Sequence, residues 1–488
     1  MKLSNETLSS LPDGISVPTY DRSKLTPGIV HIGVGNFHRA HQAWYLHRLM
    51  QKGLAHDWAI IGAGVRDYDK AMREKLLAQD CLTTLIQLDP VETSAEVIGS
   101  MIDYLPIEEG NGALIRAMAD PRIRIVAMTV TEGGYFVDPA TQGFDASDPD
   151  IQHDAANPRT PRTVFGAMVE ALRLRREAGV EPFAGQSCDN LVANGQILRQ
   201  AVVSFARLVD TDLADWIDES ASFPNAMVDC IAPAVGPTEL SLVESLGIED
   251  AAPVTHEPFR QWVIEDDFCA GRPEWQNVGV TFTDHVHAYE TMKLRILNAG
   301  HSVIAEAGQI LGVSTIAECM AHSKISAFFE KLEREEIAPT VAAVPGMTAL
   351  EYVDLIRNRF SNPRIIDTTQ RVASDSSSKH PGFIHHIIRD QVTAGRSIQG
   401  LALVEAIWAR MCEGTREDAS NIKPNDPLWD DLTARAAMAK ENPAVWTAND
   451  RLYGEISDNS EFQDAFAYWL RMIWKDGLEA ALSKYLVD

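Results

Sequence analysis

Short apolar runs rich in β-branched residues alternate with helical stretches from Gly28 to His285, and this alternation constrains the chain more than any other feature. A strand, a helix and a second strand in succession return parallel to the first, so such a segment folds as a largely parallel sheet wrapped by helices. IVHIGVG at Ile29, WAIIGAGV at Trp58, IRIVAMTV at Ile123 and the run before SCDN are the clearest strands. TVFGAMVEALRLRRE, from Thr163 to Glu177, has helical apolar spacing. From about Ala288 the strand signals fade and helical patterns take over, as in Tyr289 to Leu311 and Asp464 to Leu486. The expectation is an α/β domain over residues 1–285 and a mostly α-helical domain over residues 286–488. A stretch dense in Ser, Asp and Pro, RFSNPRIIDTTQRVASDSSSKHPGF from Arg359 to Phe383, reads as a loop island within the helical half.

A length of 488 residues is too long for one ordinary core, so two domains or one elaborated domain are expected from length alone. With 69 acidic against 43 basic residues the formal charge is -26, a field that repels polyanions. Nucleic acid and anionic membrane are therefore poor partners, and a small molecule is the expected one. The N-terminus MKLSNETLSS lacks a basic-then-apolar leader, and no run of eighteen apolar residues occurs, so a soluble cytoplasmic protein is expected. Cys81, Cys188, Cys230, Cys269, Cys319 and Cys412 are scattered without a C-x-x-C pair and read as buried thiols of a reducing compartment.

Gly33 and Gly35 end the first strand in GVGNFHRAHQAWYLHRL and lead directly into a helical pattern. Glycines there let the backbone turn tightly beside a pyrophosphate, whose charge rests on the helix N-terminus. The third glycine of G-x-G-x-x-G is replaced by His38, so the motif alone is weak and its place after a first strand is what favours a dinucleotide. The α/β half is thus expected to be Rossmann-like. An acid after the second strand can accept hydrogen bonds from the adenosine ribose and so favour NAD; Asp67 and Asp69 of GAGVRDYDK are the candidates. Arg66 beside them leaves NADP open as a second cofactor.

YETMKLRILNAGHSVIAEAG, beginning at Tyr289, carries the chemistry. At about 100° per residue, Glu290, Lys293, Asn298 and His301 fall within an arc of about 140° shared with Leu294, Leu297 and Ile304, while Arg295 points away. A lone helix lysine is usually solvated and a lone helix histidine usually a satisfied core residue. Four polar groups converging among aliphatics need another reason. Alcohol oxidation supplies one: a base removes the hydroxyl proton as hydride departs, and donors hold the developing alkoxide. A lysine serves as that base when burial and nearby cations disfavour its ammonium form. Metal-assisted oxidation finds no ligand pattern, since His285 and His287 are two apart and His385 and His386 adjacent, so no metal is expected.

GVGNFHRAHQA, VTEGGY, SCDN, FPNAMVD, EPFRQWVIEDDF, K-x-x-x-x-N-x-x-H, and RFSNP with SSK occur in order from Ile29 to the C-terminal helices. Together they resemble the polyol-specific long-chain dehydrogenases. The resemblance implies a two-domain, metal-independent, usually NAD-linked enzyme that interconverts polyol and ketose, with its site in the cleft between domains and a monomeric state. Mannitol and fructose are the first pair it suggests. It also implies Lys293 as base, Asn298 and His301 as oxyanion partners, Glu132 and Glu290 as a proton path, and Asn190, Asp229, Arg371 and Lys379 as substrate-hydroxyl contacts. Around the dinucleotide it implies Asn36, Phe37, His38, Arg66 and Thr131 beside the two glycines and the two acids. Arg371 and Lys379 would add positive charge near Lys293.

Two departures bear on the substrate. Cys230 stands where the family commonly has arginine, and LNAGH is similar to the version in sorbitol- and arabinitol-oxidising relatives. The uronate-reducing branch shares EPFRQWVIED, but some of its members have lysine where this chain has Gly133. A neutral polyol fits better than a carboxylate there. The reading from another class is a nucleotide-binding sensor without catalysis, motivated by the imperfect glycine fingerprint and the missing arginine; turnover that is lost in Lys293→Ala would eliminate it.

Overall fold

A computed structural model describes residues 1–138 and 143–487, without the side chain of Glu132. The chain divides into two compact units, Met1–His287 and Ala288–Asp488.

In the first unit five parallel strands, β1 (Pro27–Ile32), β2 (Ala59–Ala63), β3 (Met101–Tyr104), β4 (Ile125–Met128) and β5 (Ala184–Ser187), pair in the order β3-β2-β1-β4-β5. This is the doubly wound order, with the strand sequence reversing beside β1. Alternation along the strands splits the core between two faces: Ile29, Ile125 and Ala127 pack on one, Val30, Ile32, Val126 and Met128 on the other. Helix Gln42–Gln51 covers the first face through Leu46, Leu49 and Met50. Val164–Glu177 and Asn194–Val209 cover the second, the former starting at the Thr163 N-cap, whose hydroxyl accepts from the Gly166 amide. Two smaller sheets complete the unit: Ile15–Ser16, Thr93–Ile98, Thr83–Leu88 and Val254–His256 in one, Thr281–Phe282, Gln261–Ile264 and Ala226–Asp229 in the other, both of mixed direction.

The second unit is helical, with only isolated bridges among its described residues. Gln399–Cys412 is buried from Gly400 onward and packs against Ser460–Asp476. The C-terminal helical pattern is broken once, at Gly477 (φ +87°), where Leu478–Val487 begins. The Ser-rich island is not a loop. It winds into short helical turns, Thr369–Val372, Ser376–Lys379 and His380–Ile384, because Thr368 caps the first turn and Gly308 lets Thr369 approach helix Ala299–Leu311 closely. Of the six thiols, Cys269 is exposed, contrary to expectation, and the other five are buried. No described helix is long and apolar enough to cross a membrane.

Candidate functional site

Gly33 turns the chain at the end of β1 with φ +89°, and a Cβ there would be driven into the Thr129 carbonyl. Glycine is therefore obligatory at 33. A Cβ at Gly35 would meet nothing within 4 Å, so that glycine faces open space. Both line a cavity of about 370 Å³ with Val65, Arg66, Tyr68, Asp69, Thr129, Val130, Thr131 and Phe136. The volume lies in the range of small-molecule and cofactor sites.

Asp69 begins helix Asp69–Leu77 and lines this cavity, one carboxylate oxygen accepting from the Val65 and Arg66 amides at 3.1 and 3.0 Å. Asp67 stands outside the lining, exposed and paired with Lys70 at 2.8 Å. Asn36, Phe37 and His38 also stand outside it. Asn36 instead bonds the Pro233 carbonyl and Arg39, and Phe37 stacks on His41. His38 is buried and lies flat on His31 of β1, the rings 3.4 Å apart and 20° from parallel. The third glycine of a dinucleotide fingerprint serves close helix–strand packing; two stacked neutral imidazoles fill that gap here. Burial drives His31 down to about 3 and, with the neighbouring His31, holds His38 well below its ordinary value. The His31 ring nitrogens meet Gln42 at 2.8 Å and Thr129 at 3.1 Å.

Beyond β4, VTEGGY folds as a 3₁₀ turn, Glu132–Tyr135, preceded by Thr131 at φ +66° and ψ 161°. The side chain of Glu132 lies outside the described residues. Beyond β5, Asp189 is buried and Asn190 exposed. Asp229 ends its strand opposite Gln261 and is buried, as is Cys230 after it. Near Cys230 stands Arg260, whose pKa burial lowers against the opposing influence of that thiol and of Glu96. The Arg260 guanidinium bonds the Ala40 carbonyl at 2.6 Å and lies over Trp44.

In the second unit the expected single helix from Tyr289 to Leu311 is interrupted. Val286–Met292 passes into a π turn, Lys293–Asn298, and resumes as Ala299–Leu311. A π turn absorbs one extra residue, so the helix beyond it is set back by about 100° relative to a straight α-helix. His301, about 80° past Lys293 on a straight helix, comes within about 20° of it, and Asn298 moves from about 140° to about 40°. The arc expected from the sequence is therefore too wide: the π turn gathers the three onto a narrower face. Lys293 and Glu290 are buried. The buried carboxamide oxygen of Asn298 has no hydrogen-bond partner among the described residues. His301 stacks on Phe360 at 4.0 Å. Arg295 points elsewhere, pairing with Asp390 at 2.5 Å and bonding the Thr340 carbonyl.

Arg371 forks onto Asp367 at 2.7 and 2.5 Å with its side chain largely exposed. Lys379 donates to the Val372 carbonyl at 2.8 Å, and burial, with Arg371 adding to it, lowers its pKa against the opposing Asp375, Glu306 and Asp367. The next residue, His380, is a feature that sequence reasoning missed. It is fully buried between two carboxylates, Glu306 of Ala299–Leu311 and Glu405 of Gln399–Cys412, each 2.7 Å from a ring nitrogen. Tyr453 donates to the other Glu405 oxygen at 2.6 Å. This network ties the island to the helix that continues from Lys293. Its signal was hidden because Glu306, His380 and Glu405 are far apart in sequence.

Two family models match the chain: the mannitol dehydrogenase Rossmann domain over residues 27–277 and the mannitol dehydrogenase C-terminal domain over residues 285–474. Mannitol 2-dehydrogenase of Cereibacter sphaeroides is 53% identical over 472 residues, 97% of this chain and 99% of that protein. Mannitol 2-dehydrogenase of Aspergillus terreus is 39% identical, covering 100% of this chain and 99% of its own length. Among solved structures, Pseudomonas fluorescens mannitol 2-dehydrogenase in ternary complex with NAD and D-mannitol superposes with a TM-score of 0.88 at 39% identity, with full coverage of both chains. A D-sorbitol dehydrogenase in substrate-free form superposes with a TM-score of 0.91 at 36% identity, covering 98% of this chain and 100% of that one.

Proposed function

The chain belongs to the mannitol dehydrogenase family, and from that premise we propose that it is an NAD-dependent polyol dehydrogenase interconverting D-mannitol and D-fructose, with Lys293 as a metal-free general base. The observation that carries the mechanism is the π turn that gathers Lys293, Asn298 and His301 onto one face. The substrate assignment rests on the similarity to enzymes named mannitol 2-dehydrogenase, one of them complexed with NAD and D-mannitol.

The first unit fits the dinucleotide. Gly33 and Gly35 admit a pyrophosphate against the backbone, and the cavity offers Asp69 for a ribose and Thr131 along its wall. Arg66 lines the same wall, whereas Asn36, Phe37, His38 and Asp67 stand outside it. NAD, when bound, supplies the acceptor for the hydride that leaves the carbinol carbon. Lys293 takes the hydroxyl proton as the C–H bond breaks and the carbonyl forms, and Asn298 and His301 donate to the oxygen as its charge grows. Glu290 and Glu132 pass the proton toward solvent. Asn190, Asp229, Arg371 and Lys379 hold the remaining hydroxyls. We assign residues 1–285 to the dinucleotide and 286–488 to the base, and the protein as a cytoplasmic monomer.

The D-sorbitol dehydrogenase match favours one second reading, sorbitol as the preferred polyol. NADH consumption by the purified protein with fructose, xylulose and fructuronate, and NAD reduction with mannitol, sorbitol and arabinitol, separate these. Preference for fructose and mannitol is expected, and preference for fructuronate would overturn the polyol reading.

A further inference from the structure

Asp189 takes no part in the proposed reaction, yet it joins two segments which that reaction needs. The parallel register sets Met128 beside Ser187, and the Cys188 amide continues the ladder to the Met128 carbonyl at 2.9 Å. Asp189 therefore emerges beside Val130 and Thr131. One of its carboxylate oxygens accepts from the Val130 amide and the other from the Thr131 amide, each at 3.0 Å. The buried Tyr135 hydroxyl adds a third bond at 2.7 Å and is itself 2.6 Å from the Ser187 hydroxyl. Burial first, and the Asp189 charge next, hold the Tyr135 phenol well above its ordinary pKa, so it stays a donor.

What the carboxylate holds is a backbone that threonine disfavours. At φ +66° and ψ 161°, Thr131 occupies a region open essentially to glycine, and a β-branched residue there is an outlier. Such a conformation persists only where its surroundings over-determine it. Two charge-assisted hydrogen bonds to consecutive amides do so here. The held residue lines the dinucleotide cavity; just before it, Thr129 donates to the Gly33 carbonyl at 2.6 Å, and just after it stands Glu132. The main chain of Asp189 is fixed as well, its carbonyl accepting from Asn194 at 3.1 Å, and the next residue is Asn190.

We propose that Asp189 is a positioning residue for the reaction: its carboxylate locks Thr131 in the left-handed region and so presets the cofactor-side wall, together with Glu132 and Asn190, before the dinucleotide binds. The proposal rests on the assignment of this cavity to NAD. In Asp189→Asn one oxygen becomes an NH₂ group facing a backbone donor, so at least one of the two amide bonds is lost.

The test is a double-mutant comparison of D189N in three backgrounds, with Thr, Gly or Ala at 131. NAD affinity is read by quenching of intrinsic tryptophan fluorescence, and kcat and KM by NAD reduction with mannitol. Wild-type NAD binding tests the cavity assignment separately. With Thr131 or Thr131→Ala, D189N is expected to raise the Kd and KM for NAD about ten- to a hundredfold. With Thr131→Gly, which adopts the same φ without strain, the rise is expected to fall to about threefold or less. Equal penalties in all three backgrounds, with NAD binding intact in the wild type, overturn the proposal. If D189N does not accumulate as folded protein, recovery of folded protein by Gly and not by Ala at 131 supports it, and recovery by neither or by both overturns it. Tyr135→Phe leaves both amide bonds in place and is expected to change the KM for NAD by less than about threefold; a penalty as large as that of D189N would place the effect in the tyrosine contact and overturn the role of Thr131.

Discussion

At the scale of single residues, the two glycines at the end of β1 are not equivalent. Gly33 is demanded by the protein itself, since any side chain would strike Thr129, whereas no described residue demands glycine at 35, and the proposed pyrophosphate is the reason for it. Gly35→Ala is therefore expected to fold with an unchanged melting temperature while NAD affinity falls tenfold or more; Gly33→Ala is expected to lose folded protein. Calorimetry and a binding titration of the two variants check this, and a stable Gly35→Ala with wild-type affinity would remove the pyrophosphate from that turn. Lys293→Ala is expected to bind NAD normally and lose at least about 10³-fold in kcat, the scale of a missing general base. Near wild-type turnover would reassign the base. Gly33, Gly35 and Asp69 could be named from the sequence because each residue type answers a local chemical need, and they line one cavity, whereas Asp67 falls outside its lining. His38 was harder to place for the same reason: by pattern it belongs to the dinucleotide turn, but its ring pairs with His31, and a stacking partner on the preceding strand leaves no mark in a motif.

At the scale of elements, the helix that bears Lys293 shows what periodicity can and cannot supply. An α-helical period placed Glu290, Lys293, Asn298 and His301 on one broad face, and it placed Arg295 away from them, where its bond to Asp390 now holds it. It could not supply the π turn, because an extra residue in one turn is selected by tertiary packing and chemistry and not by local propensity. Inserting one alanine after Leu294, beyond the extra residue that the π turn already absorbs, is expected to leave far-ultraviolet circular dichroism unchanged and to reduce kcat about 10²-fold or more, since Asn298 and His301 rotate by about 100° relative to Lys293. Retained activity would mean that the alignment of Asn298 and His301 with Lys293 does not carry the reaction. The island, expected as a loop from its serines and prolines, became helical turns because His380 anchors it to two neighbouring helices. Burial alone would lower the His380 pKa, but Glu306 and Glu405 outweigh it and raise it to about 10. A raised histidine pKa contributes stability that is complete below pH 6.5, where the unfolded ring is also protonated, and is lost as pH climbs through about 10. Melting temperatures from about pH 6 to about pH 10.5 are expected to fall more steeply for the wild type than for His380→Gln. The extra slope approaches about 1.4 kcal/mol per pH unit, and the variant starts about 3–5 kcal/mol less stable at about pH 6 because two buried carboxylates lose their cation. Parallel profiles would show that His380 does not carry the charge.

At the scale of the whole molecule, the change from strand–helix alternation to helix alone was the most legible property of the chain, because burying a parallel sheet on both faces needs long apolar strands and crossover helices that no helical unit requires. The two mixed sheets beside the main one were not legible, since strands as short as Ile15–Ser16 and Val254–His256 carry too few residues for a period to emerge. Because each unit has its own core, unfolding need not be a single transition, and a ligand stabilises only the part that holds it. If the cavity behind Gly33 and Gly35 holds NAD, then NAD at about a hundred times its dissociation constant adds about 2.7 kcal/mol to the stability of Met1–His287. Hydrogen exchange with and without NAD is expected to place the added protection in β1, β4 and helix Asp69–Leu77, leaving the slowest amides of Gln399–Cys412 unchanged. Protection spread equally over both units would mean that they unfold as one, and protection confined to the helical unit would put the dinucleotide in the wrong half of the chain.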